Sequence, residues 1–223
     1  MITKVNGHIL WVLALLLCIS FSFSIKSEAA QAEFLPPTLE TVMIPEYNEP
    51  TNKAHTIQPI PLSTVNILNF VEKSTKGTVN DLLKTVYPER TVEQLQSVTA
   101  NLNQCAEYVK SQGYKVVTTS GVLDYALLKN ELNHQRPVLA QLTANGNYWI
   151  EQETAVIIFG VQKFTFQDGR ENILYMYRSL NHEDGGIYGG LEQSIPLLNK
   201  EALIDPASNV TYKWTGTLYG FTK

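Results

Sequence analysis

A thiol and an imidazole are the strongest nucleophile and base that this chain could bring together. It holds two cysteines, Cys18 and Cys105, and four histidines, His8, His55, His134 and His182. Such a pair supports acyl transfer, with the thiolate attacking and the imidazole moving the proton. Cys105, however, shares a helical stripe with Leu102 and Val109, the setting of a buried structural thiol. His182 stands in a polar stretch between Asn181 and the acidic pair Glu183-Asp184. It is a candidate base for a hydroxyl on Ser63 or Thr64, against the plainer expectation of an exposed loop residue. His55 and His134 lie in polar surroundings. His182, Glu183 and Asp184 are too close in sequence to cage a metal, and no second cluster accompanies them, so neither metal nor cofactor is expected. Residues 185–190 include four glycines without a following Lys-Ser/Thr, which excludes a phosphate loop.

Composition narrows the classes further. The chain has 223 residues, formal charge −4, 44% hydrophobic and 10% aromatic residues, an ordinary globular balance. No basic cluster supports nucleic-acid binding. Met1 to His8 is a short head with one lysine, Ile9 to Phe23 is apolar apart from two serines, and the next stretch ends in Ala30-Gln31-Ala32. Residues 1–32 therefore read as a secretory signal peptide, too short in its apolar centre to span a bilayer. Cys18 follows Leu17 rather than a small residue, which argues against lipidation. Cleavage after Ala32 leaves one cysteine and no intramolecular disulfide. That suits a secreted or envelope-associated bacterial protein, touching membrane only through the signal segment.

The elements follow from periodicity and punctuation. Residues 33–57 form a Pro-rich extended arm, and prolines continue to Pro59 and Pro61. Ser63 or Thr64 is the expected cap of a first helix, through about Lys73. Thr78 caps a second, with Leu82, Leu83 and Val86 inward and Pro88 beyond it. Thr91 with Gln94 opens a third, continuing through Leu102, Cys105, Ala106 and Val109 to Gly113. Tyr114 to Thr119 alternates as a strand, and Tyr125 to Leu132 is helical. Two apolar runs follow: Val138-Leu139-Ala140-Gln141-Leu142, then Thr154-Ala155-Val156-Ile157-Ile158-Phe159-Gly160-Val161. Between them lies Asn145-Gly146-Asn147-Tyr148-Trp149. Gln162–Phe166 and Ile173–Tyr177 read as a hairpin around Asp168-Gly169. Residues 194–202 end in a helical stretch, and Val210–Phe221 is a closing strand. Helices first and strands later predict an α+β fold, N-terminal helices packed on a mainly antiparallel sheet.

This order resembles the papain-like cysteine peptidase superfamily, in particular the secreted bacterial staphopain and C39-like peptidases. The run from Thr154 to Val161 resembles the strand that usually reads Gly-His-Ala-Val-Val-Ile-x-Gly-Tyr. Gln58 stands six residues before Thr64, the family's spacing from oxyanion glutamine to nucleophile. The segments Ala106–Tyr114, Leu128–Val138 (with its Arg136-Pro137-Val138) and Lys213–Gly220 resemble the family's later helix, strand entry and closing strand. The resemblance covers residues 58–223, taken as one papain-like domain.

In that family a thiolate at a helix N-terminus is paired with a histidine, which an asparagine orients. The matching positions here are Thr64, Thr154 and Asn181. Two of the three have lost their chemistry, since a threonine at 154 cannot accept a proton near neutral pH. The resemblance thus implies a papain-like domain without peptidase activity, binding a peptide or protein partner in the retained cleft. Tyr148, Trp149 and His182 are the candidate walls. The alternatives are an active cysteine peptidase with a rearranged site, using Cys105, and an envelope interaction protein.

Overall fold

The computed structural model describes residues 36–45, 47, 58–144, 153–179, 203–205 and 210–223. The expected signal segment, the loop around Tyr148 and Trp149, and residues 180–202 lie outside them.

The first helix, α1, is Pro59–Glu72, with Gln58 as its N-cap. It starts before the expected cap at Ser63 or Thr64. The prolines explain the shift: first-turn N–H groups have no acceptor within a helix, so Pro59 and Pro61 cost nothing there. Every residue from Pro59 to Asn69 is buried, so α1 is wrapped on all sides. It stops at Lys73, whose backbone is left-handed with φ 51°. Thr78 and Asp81 form a reciprocal capping box that starts α2, Val79–Val86, with Leu82 and Leu83 buried as predicted. Thr91 and Gln94 form another, but its helix α3 is only Val92–Leu95. The continuous helix expected to Gly113 is interrupted, because Asn101 and Gln104 make a third box that restarts the chain as α4, Leu102–Ser111.

Six further elements follow the helices: β2 Lys115–Ser120, α5 Tyr125–Asn133, β3 Val138–Ala144, β4 Glu153–Thr165, β5 Glu171–Ser179 and β6 Leu203–Asp205. The last strand is β7, Val210–Thr222. An additional strand precedes α1. Residues Thr38–Met43, inside the expected Pro-rich arm, are β1 and pair with β4 from Thr165 to Gly160. The arm is proline-free between Pro37 and Pro45, which leaves six donors available for a ladder. The compact unit therefore begins at Pro37, not at residue 58. Exposed Glu40 on β1 accepts from Tyr125 Oη at 2.9 Å and pairs with Lys129, both on α5.

The fold is thus mixed α+β; among the described residues the sheet has seven strands and every strand pairing is antiparallel. Strand β4 is its axis. β3 and β1 share one edge of β4 at its two halves, and β5 covers the other edge. β7 lies beyond β3, with β2 and β6 sharing its outer edge. The runs read as separate pieces at 154–161 and 162–166 are one strand, joined without a break. Gly160 sits between Met43 of β1 and Met176 of β5. A Cβ there would lie 2.8 Å from Met176 Sδ and 3.0 Å from Met43 Cβ. The sheet is strongly curled: Tyr175 on β5 meets Trp214 on β7 edge-on at 5.3 Å. In a flat sheet those strands would stand about three spacings of 4.8 Å apart.

Candidate functional site

The family-matching site begins at the head of α1. Gln58 is buried, and its amide nitrogen donates to the Leu95 carbonyl at 2.8 Å and to the Val98 carbonyl at 2.9 Å. Both amide protons are spent on tying α1 to the end of α3, so none is left for an oxyanion. Pro59 and Pro61 also remove two of the N–H groups that would make this helix end attractive to an anion. Gln58 therefore acts as a staple. Replacing it by alanine strands the Val98 carbonyl and leaves the Leu95 carbonyl only the Val98 amide at 3.4 Å, and Gln58→Ala is expected to lower stability by about 2 kcal/mol in urea unfolding.

Thr64 lies in the second turn of α1, fully buried, and its hydroxyl donates to the Ile60 carbonyl at 2.8 Å. This corrects its expected place at the helix start. A thiolate at a helix N-terminus draws on free N–H groups and the positive end of the dipole, and neither reaches residue 64. Its bond to residue i−4 is the local satisfaction open to a mid-helix threonine.

Against Thr64 packs Cys105 of α4, the one cysteine among the described residues and fully buried. Its thiol pKa is pushed up to about 12 by burial, which outweighs the hydrogen bond to Thr64 that acts the other way. The thiol points at the Ala100 carbonyl, 4.0 Å away. Two candidate nucleophiles thus sit side by side, and both serve the contact between α1 and α4.

Thr154 is the second residue of β4, 5% exposed, and pairs with Leu142 of β3. α1 packs on both strands. Asn181, His182, Tyr148 and Trp149 lie outside the described residues. His134 caps the end of α5, with Nδ1 2.8 Å from the Asn130 carbonyl oxygen. Among the described residues no group of acidic, histidine and cysteine side chains could hold a metal. No helix among them is long and apolar enough to cross a membrane.

Residues quoted for their family pattern have structural tasks. Arg136 clamps Glu131 at the end of α5 through two bonds, of 2.7 and 2.9 Å. Trp214 donates its indole N–H to Thr217 Oγ1 at 2.8 Å, and that hydroxyl donates to the Gly121 carbonyl at 2.6 Å.

The open surface lies elsewhere. A groove of about 330 Å³ runs between Asn101–Asn103 at the head of α4 and Thr118–Ser120 of β2, floored by Gln141, Thr215 and Gly216. Gly216 permits the close approach, because a Cβ would come within 2.9 Å of Gln141 Oε1 and 3.1 Å of Leu102 Cδ2. Its walls come from four elements, and sequence spacing signals none of that convergence. No protein-family model matches the chain, and no curated protein matches it.

Proposed function

We propose that this chain is an exported papain-like domain that has lost peptidase chemistry and binds an extended peptide or protein segment. The carrying observation is the burial of both candidate nucleophiles, Thr64 and Cys105, in the contact between α1 and α4. A group that attacks a scissile carbonyl must reach about 3 Å from it, and neither of these meets solvent. The rearranged cysteine peptidase, which needs Cys105, is disfavoured by the same burial.

Three features support the rest of the reading. A buried helix headed by glutamine precedes an antiparallel sheet, and β4 carries the Ala-Val-Ile-Ile-x-Gly run in the place of the family's histidine strand. β2, beside the polar groove, pairs only with β7 among the described residues, which leaves an edge for strand addition. The leader with its Ala30-Gln31-Ala32 site supports export.

The test pairs an activity assay with a graft. The folded chain is expected to leave a mixed-peptide substrate intact and to retain peptides from an immobilised library. Substrate cleavage that stops when Cys105 is alkylated would overturn the proposal. Thr64→Cys combined with Thr154→His is expected to remain unreactive toward a thiol probe, since residue 64 lies inside the helix. Rapid labelling at residue 64 would show that α1 opens and that the ancestral geometry is accessible.

A further inference from the structure

We infer that α1 and β5 build a recognition site for a carboxylate from Arg178, Asn66 and Ser63. This goes beyond the peptide-binding reading and does not depend on it.

Buried polar atoms are nearly always paired. Five on these three residues have no hydrogen-bond partner: Ser63 Oγ, Asn66 Oδ1 and Nδ2, and Arg178 Nε and Nη1. Ser63 is fully buried and Asn66 is 4% exposed. Residues 63, 66 and 70 lie on one face of α1 by helical spacing. That face is located by Phe70, whose ring packs on Tyr47 at 5.0 Å. Tyr47 stacks on Phe159 of β4 at 5.8 Å with the rings 10° from parallel. The Arg178 guanidinium lies over both, 5.3 Å from the Tyr47 centroid and 5.9 Å from that of Phe159. The face bearing Ser63 and Asn66 is therefore turned toward the side of β4 and β5 where Arg178 sits. Among the described residues Arg178 makes no ion pair.

The donor set selects the ligand. The unpaired Arg178 nitrogens, Nε and Nη1, lie on different edges of the guanidinium, so a carboxylate takes a single charge-assisted bond from either of them. The Asn66 NH₂ and the Ser63 hydroxyl add donors, and a carboxylate has about four lone-pair sites to receive them. Asn66 Oδ1 remains as an acceptor and calls for an N–H close to the carboxylate. The C-terminal end of a peptide has both. So, in part, does a free small acid, and the two sources are separated by experiment.

The full chain is titrated calorimetrically with N-acetyl-alanyl-alanine, with its C-terminal amide and with acetate. The acid is expected to bind at least about tenfold more tightly than the amide, the scale of a lost charged hydrogen bond. Acetate binding as tightly as the peptide acid assigns the site to free acids, and weaker acetate assigns it to peptide termini. Arg178→Met should abolish the preference for acid over amide with an unchanged circular dichroism spectrum. Asn66→Asp supplies the carboxylate within the chain, so it should raise the melting temperature and block the acid. Equal binding of acid and amide, full binding by Arg178→Met, or a lowered melting temperature in Asn66→Asp each overturns the inference.

Discussion

In a Cys18→Ser background at pH 8, Cys105 of the folded chain is expected to react with a maleimide about a thousandfold more slowly than in the urea-unfolded chain. The thiolate is the reacting species, and each unit of pKa removes a factor of ten from it. Burial moves this thiol from an ordinary value of 9.0 to about 12. Loss of access to the fully buried sulfur slows the reaction further. The same shift sets a sign for alkaline stability. Above pH 9 the unfolded thiol loses its proton while the folded one keeps it, so the unfolded state binds fewer protons. Stability then falls with rising pH, by about 1.4 kcal/mol per unit until the folded pKa is reached. Burial also raises the phenols of Tyr47 and Tyr175, which extends the loss at higher pH. Cys105→Ala should remove the thiol's part of that slope. Labelling of the folded chain at the unfolded rate would mean that α4 separates from α1 in solution. The rearranged peptidase would then regain its nucleophile.

Glu131→Ala is expected to cost about 3–5 kcal/mol, the scale for stranding one partner of a buried ion pair. Glu131 closes α5 and its side chain is 7% exposed. Its carboxylate accepts from Arg136 Nε at 2.7 Å, from Arg136 Nη2 at 2.9 Å and from the Gly220 amide at 3.2 Å. One side chain thus joins the end of α5, the entry to β3 and Gly220 within β7, whose φ is +79°. The hydrogen bonds to Glu131 hold the Arg136 guanidinium above its usual range. Without the carboxylate, that cation keeps its desolvation cost and loses its compensation. The double change Glu131→Leu with Arg136→Met removes both charges, and it should recover most of the loss. Chemical unfolding of the two variants decides this. A cost below about 1 kcal/mol for Glu131→Ala would show that solvent reaches the pair and screens it.

Legibility differed by the range of the interaction. Thr78 with Asp81 and Thr91 with Gln94 announce helix starts, because a capping box needs only residues three apart. Asn101 with Gln104 carries the same signal. The apolar stripe of Leu102, Cys105 and Val109 masks it, because that stripe continues the periodicity of the preceding helix. The start of α1 is hidden in a related way: Pro59 and Pro61 break most structures but are harmless in a first turn. The turn at Asp168-Gly169 was legible, since Gly169 at φ +80° is what a tight reversal demands.

Residue types alone determined that neither Thr64 nor Thr154 can take the role of a cysteine or histidine. Periodicity determined helices before strands, and hence the α+β class. Tertiary structure alone decided that residue 64 lies inside its helix, that Gln58 spends both amide protons on carbonyls, and that residues 38–43 complete the sheet. It alone set Arg178 over the rings of Tyr47 and Phe159. The physical reason is separation along the chain. A cap or a turn is stabilised by neighbours a few residues away. The pairing of Thr38 with Thr165, or the bond from Gly220 to Glu131, exists only after the chain has closed loops of about a hundred residues.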